Sequence, residues 1–112
     1  KLGIDAKTFF EVASQGSAQS FALNVLCPHP GILPNAPSSR GYEGGFATRL
    51  MHKDMLLACE AAAGAGAVIP VTNLAARLFG ECAASGMANL DNAVLYQYLL
   101  GRTSDIEPRA AA

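Results

Sequence analysis

The sequence predicts an all-α domain of about five helices, and three observations carry that prediction. Several stretches place apolar residues at i, i+3 and i+4, the spacing of one helical face. Residues that cap or stop helices stand at their ends. Nothing alternates at period two for long enough to build a sheet; the nearest candidate, "AVIPV" at 67–71, contains a proline. At 112 residues the chain has the length of one domain, and a chain of that size buries roughly two-thirds of its unfolded surface.

Asp5 is placed to cap a first helix through Phe9, Phe10, Val12 and Ala13, stopped at Gly16. Ser17 is the expected cap of a second, with Phe21, Ala22, Val25 and Leu26 turned inward. Residues 27–45 then hold four prolines and four glycines, which exclude helix and central strand. A third helix starts near Phe46 and ends near Gly64 and Gly66, and Pro70 fits the first turn of a fourth. That helix presents Val71, Leu74, Ala75, Leu78, Phe79 and Cys82 and ends at Gly86. Asp91 caps the last, which presents Val94, Leu95, Tyr98 and Leu99 before Gly101. The domain is expected to span 1–103, with 104–112 a flexible tail.

Composition narrows the function classes. Apolar residues make up 51%, charged residues 15%, and the net charge is −1. Without a Lys/Arg cluster, neither nucleic acid nor an anionic membrane is an expected partner. No apolar run reaches the length of a membrane span. No secretory signal is visible, and because the chain opens on Lys1 it is expected to lack its true start. Cys27, Cys59 and Cys82 are an odd number without scaffold spacing and read as free thiols of a reducing compartment. Cys27-Pro28-His29 lacks a second ligand pair, so no metal site is expected. The "GAGA" at 64–67 follows a helix instead of a strand and reads as a terminator, not a phosphate loop.

Two stretches resist a purely packing account. The third helix puts Ala47, Leu50, Met51, Leu57, Ala58, Ala61 and Ala62 on one stripe, with Asp54 in its middle and Lys53 beside it. A carboxylate on an apolar stripe costs several kcal/mol unless paired or facing a polar cleft. Either Asp54 accepts from an arginine or from backbone N–H groups and ties down the preceding glycine-rich segment, or this face lines a site where Lys53 reaches an anion or cofactor. His52 is expected to be solvated. The alanine-rich "LLACEAAAGAGA" is either interior or packed against another chain. The 27–45 segment is long for a loop inside a compact domain, and its Ile32, Leu33 and Tyr42 predict that it is ordered.

Taken in order, Pro28, Pro30 and Gly31, then Tyr42, Gly44, Gly45 and Phe46, then Lys53 and Asp54, resemble the carboxy-terminal domain of the 3-hydroxyisobutyrate dehydrogenases, in the β-hydroxyacid dehydrogenase family. "LGIDAKTFFEVASQGSAQS" and "LDNAVLYQYL" resemble the flanking helices, so the likeness covers nearly the whole chain. The resemblance implies a two-domain enzyme whose amino-terminal Rossmann domain binds NAD, with the active site in the cleft between the domains. It implies oxidation of 3-hydroxyisobutyrate to methylmalonate semialdehyde in valine degradation. Lys53 would approach the cofactor near the nicotinamide, while Phe46 and Asp54 would shape the active-site face. Assembly as a homodimer or homotetramer is implied, in the mitochondrial matrix of a eukaryote or the cytoplasm of a bacterium. The family's catalytic lysine and phosphate loop match nothing here, so the chain alone is expected to be inactive. Leu56 stands where many relatives have glycine. The other readings are a semialdehyde reductase using NADP and a stand-alone helical oligomerisation module.

Overall fold

The computed structural model describes residues 2–106, and side chains as far as Gly101. Five α-helices occur among them: α1 (Ala6–Ala13), α2 (Phe21–Asn24), α3 (Thr48–Ala65), α4 (Pro70–Cys82) and α5 (Leu95–Ile106). Short 3-10 turns cover Pro37–Arg40 and Asn92–Val94, and a π-turn covers Ala83–Met87. Among the described residues the only extended pairing is an isolated antiparallel bridge between Ala47 and Asp91.

Local chemistry explains most boundaries. The Asp5 carboxylate accepts from the Thr8 N–H at 2.9 Å and caps α1. That bond, first among the causes, lowers the Asp5 pKa. Helix α2 is capped by Ser20, whose hydroxyl accepts from Leu23 N–H at 3.1 Å. Ser17 is therefore not the cap; α2 is a single turn that starts later than the apolar spacing suggests. Gly66, at φ 67, ends α3, and Pro70 occupies the first turn of α4. The proline-rich segment contains one helical piece after all, the 3-10 turn at Pro37–Arg40, where Pro37 supplies the required φ and no long hydrogen-bond ladder is needed. Gly101 does not stop α5, which continues to Ile106. Of the tail expected at 104–112, residues 104–106 are helical and 107–112 lie outside the described residues.

Helices α3 and α4 form the main pair. Their close approach is visible at Gly80, where an added Cβ would come within 2.9 Å of His52 Nε2. His52 is thus half-buried against α4 instead of solvated. Thr48, His52, Met55, Cys59 and Ala62 follow i, i+4, i+7, i+11 and i+14, and all are buried or half-buried. The tightest core lies elsewhere, where Tyr42, Cys82 and Val94 are buried together and Met87, Leu90, Leu95 and Tyr98 pack around them. Burial pushes the Cys82 thiol above its ordinary range. All three cysteines are free.

Candidate functional site: the Phe46 corner and the Lys53 face

The site is built on the corner that leads into α3. Tyr42 is buried and sits at φ 61, a left-handed conformation that costs a non-glycine residue about 1–2 kcal/mol. Surrounding bonds hold it there. Its hydroxyl donates to the Pro28 carbonyl at 2.7 Å and accepts from Gln97 Nε2 at 3.3 Å. Its own carbonyl accepts from the Asp91 N–H at 2.8 Å. One side chain therefore ties the proline loop to α5, and its main chain ties the corner to Asp91.

The proline loop itself is fixed by side chain to backbone bonds. Ser38 Oγ donates to the Cys27 carbonyl at 2.6 Å, and Ser39 Oγ donates to that of Leu33 at 2.7 Å. Arg40 spans the turn, donating to the carbonyls of Asn35 and Glu43 at 3.0 and 2.8 Å. A segment without a ladder of its own is ordered because its backbone groups find these partners.

Helix α3 has no side-chain cap at Ala47. Its first N–H groups donate to another chain segment: Thr48 N to the Leu90 carbonyl at 2.8 Å and Arg49 N to that of Ala88 at 3.0 Å. Thr48 Oγ1 also donates to Leu90 O at 3.0 Å. Asp91, 2% exposed, completes the corner. Its Oδ2 accepts from Phe46 N–H at 2.9 Å and its Oδ1 from Ala93 N–H at 3.0 Å. The carboxylate that ties down the glycine-rich segment is therefore Asp91 and not Asp54. Sequence reasoning saw Asp91 only as a helix cap; its second oxygen reaches across 45 residues, and the glycine at 45 was the only local hint.

Phe46 is 40% exposed. Lys53 and Asp54 lie one and a half turns into α3 on its outer face, with their side chains 60% and 49% exposed and Nζ 2.7 Å from Oδ1. Leu57, further along the same face, is 55% exposed and Leu56 51%. So Ala47, Leu50, Met51 and Ala62 are half-buried while Leu57, Ala58 and Ala61 are exposed. Asp54 and the Leu57, Ala58 and Ala61 part of the stripe therefore lie on the exposed side of α3, away from the His52 face that packs on α4. Leu56, the departure from glycine, adds apolar area to the same exposed surface.

Lys53, Asp54, Leu56 and Leu57 thus form an exposed face of α3. The ammonium of Lys53 is accessible, and its exposed ion pair with Asp54 holds it weakly, because such pairs are worth about 0–1 kcal/mol. One turn further along α3, Leu57 adds exposed apolar surface to the same face. Among the described residues no group of three His, Cys, Asp or Glu side chains could hold a metal ion, and no helix is long and apolar enough to cross a membrane.

The all-helical architecture of the described residues is that of a helical domain of a dehydrogenase. Residues 1–99 match the family described as NAD-binding of NADP-dependent 3-hydroxyisobutyrate dehydrogenase, and the chain belongs to that family. A 3-hydroxyisobutyrate dehydrogenase of Pseudomonas aeruginosa is 46% identical over 79 residues, covering 70% of this chain and 26% of the relative. An NAD-dependent L-serine dehydrogenase of the same organism is 40% identical over 93 residues, covering 83% and 31%. The solved Mycobacterium tuberculosis 3-hydroxyisobutyrate dehydrogenase with L-serine matches with a TM-score of 0.83 at 35% identity, covering 88% of this chain and 33% of that one. The chain thus spans roughly a third or less of the length of these relatives.

Proposed function

We propose that this chain is the carboxy-terminal helical domain of an NAD-dependent dehydrogenase that oxidises 3-hydroxyisobutyrate to methylmalonate semialdehyde, a step of valine degradation. The observation that carries the reading is the outward Lys53 face. A helix presents an ammonium, a carboxylate and Leu57 away from its own core, as a wall of an interdomain cleft requires. The likeness to relatives about three times longer supports a second, nucleotide-binding domain in the parent protein.

In this reading NAD, when bound, supplies the hydride acceptor for the substrate's carbinol. Lys53 holds the cofactor near its nicotinamide through its ammonium. Phe46 covers the substrate side and excludes water. Asp54 pairs weakly with Lys53 across the exposed surface and releases its ammonium to a ligand. In this reading the proton acceptor for the hydroxyl belongs to another part of the parent enzyme, and the isolated chain is inactive.

A second substrate reading has its own support: one relative is named an L-serine dehydrogenase, and the solved neighbour is described with L-serine. Serine shares the 3-hydroxy acid skeleton and differs at the second carbon. A semialdehyde reductase using NADP stays within the same chemistry, run in reverse. Exposed Val71 and Leu74 support oligomer contacts through α4. Relatives from Drosophila melanogaster and Arabidopsis thaliana are named mitochondrial and the bacterial ones are not, so the compartment follows the host.

The test is steady-state oxidation by the full-length protein, with 3-hydroxyisobutyrate or L-serine and NAD or NADP. The reading expects the highest kcat/KM with 3-hydroxyisobutyrate and NAD. A preference for serine selects the second substrate, and no turnover with either acid overturns the dehydrogenase assignment.

A further inference from the structure

We propose that Asp91 is a positioning residue for substrate recognition: its carboxylate pins the main chain of Phe46 and thereby sets the ring that covers the substrate side of the cleft. The inference rests on the dehydrogenase reading above and deepens it.

The Phe46 main chain is held from both sides by one short segment. Its N–H donates to Asp91 Oδ2 at 2.9 Å. Its carbonyl accepts from Asn92 N–H at 2.8 Å and from Asn92 Nδ2 at 3.1 Å. Asp91 is itself fixed by donating its N–H to Tyr42 O at 2.8 Å. Yet Phe46 is 40% exposed and lies outside the cluster of Tyr42, Cys82 and Val94. Pinning the main chain of this partly exposed residue fixes the position from which its ring projects.

The chemistry of the clamp also points away from stability alone. Capping the entry to α5 needs only Oδ1, on Ala93 N–H. Oδ2 is committed to the Phe46 N–H, 45 residues away in sequence. Both oxygens accept from N–H groups, so an amide in this place would turn an N–H₂ toward one donor. Gly45 completes the fit: an added Cβ there would overlap the carboxylate.

The test uses the full-length protein, with 3-hydroxyisobutyrate and NAD. Asp91→Asn raises KM for the hydroxyacid about tenfold, the loss of one charge-assisted hydrogen bond, and changes KM for NAD by less than about twofold because Lys53 lies beyond the clamp. Phe46→Ala raises the hydroxyacid KM on its own, and Asp91→Asn adds little in that background because its effect passes through the ring. Asn92→Ala removes one bond to the Phe46 carbonyl and leaves the buried carboxylate intact. It raises the hydroxyacid KM about two- to threefold and decides the matter should Asp91→Asn not fold. An unchanged hydroxyacid KM in Asn92→Ala and in folded Asp91→Asn, or an equal rise with and without Phe46, overturns the proposal while Phe46→Ala leaves the dehydrogenase reading standing. A wild-type protein that turns over neither 3-hydroxyisobutyrate nor L-serine overturns both.

Discussion

Gly45 and Asp91 occupy the same corner because Gly45 carries no side chain. At φ 70 an alanine Cβ would overlap Asp91 Oδ2 and meet Pro37 Cγ at 3.1 Å. Gly45→Ala is therefore expected to destabilise the chain by about 3 kcal/mol, combining left-handed strain with the displaced Asp91–Phe46 bond. Gly64→Ala is the contrast. It lies inside α3 with open space around its Cβ, and the change should stabilise by about 0.5–1 kcal/mol. Urea unfolding of the two variants gives opposite signs if the corner is built as described.

His52 and Gly80 set the separation of α3 and α4. Gly80→Ala brings a Cβ within 2.9 Å of His52 Nε2, so it should cost about 1 kcal/mol despite alanine's better helix propensity. In a His52→Ala background the obstacle is gone, and the same substitution should stabilise by about 1 kcal/mol. A double-mutant cycle measured by thermal unfolding checks the reversal of sign.

Tyr42 links stability to alkaline pH. Burial, the first cause, raises its phenol above the ordinary 10.0. The folded state then keeps its proton where the unfolded chain releases it. The stabilisation is full below about pH 10 and is lost as pH rises through the folded value. Tyr42→Phe removes the bonds to Pro28 O and Gln97 and should cost about 1–2 kcal/mol at neutral pH. It should also flatten the loss of stability above pH 10.0. A residual slope starting nearer 9.0 belongs to Cys82, whose thiol is raised by burial as well. Unfolding free energies of both chains from pH 8 to 12 decide it.

Much of the fold was legible because caps and breakers act locally. Asp5, Gly66 and Pro70 each do the work their neighbours in sequence predict. Ser17 and Gly101 misled for the same reason: capping strength and glycine cost are small preferences, and packing decides between Ser17 and Ser20, or carries α5 past Gly101. The Asp54 puzzle was visible as a break in a stripe, but its answer depends on which face α4 covers. Asp91 shows the limit most clearly, since half of its role is a hydrogen bond to Phe46, 45 residues away. A left-handed tyrosine at Tyr42 carries no sequence signature at all.

The central claim is that the Lys53 face serves a cofactor and not the domain's own stability. Lys53→Ala in the full-length protein separates the two. Its ion pair to Asp54 is exposed, so the melting temperature should hold nearly constant, while KM for NAD should rise about tenfold or more. An unchanged KM for NAD contradicts the account.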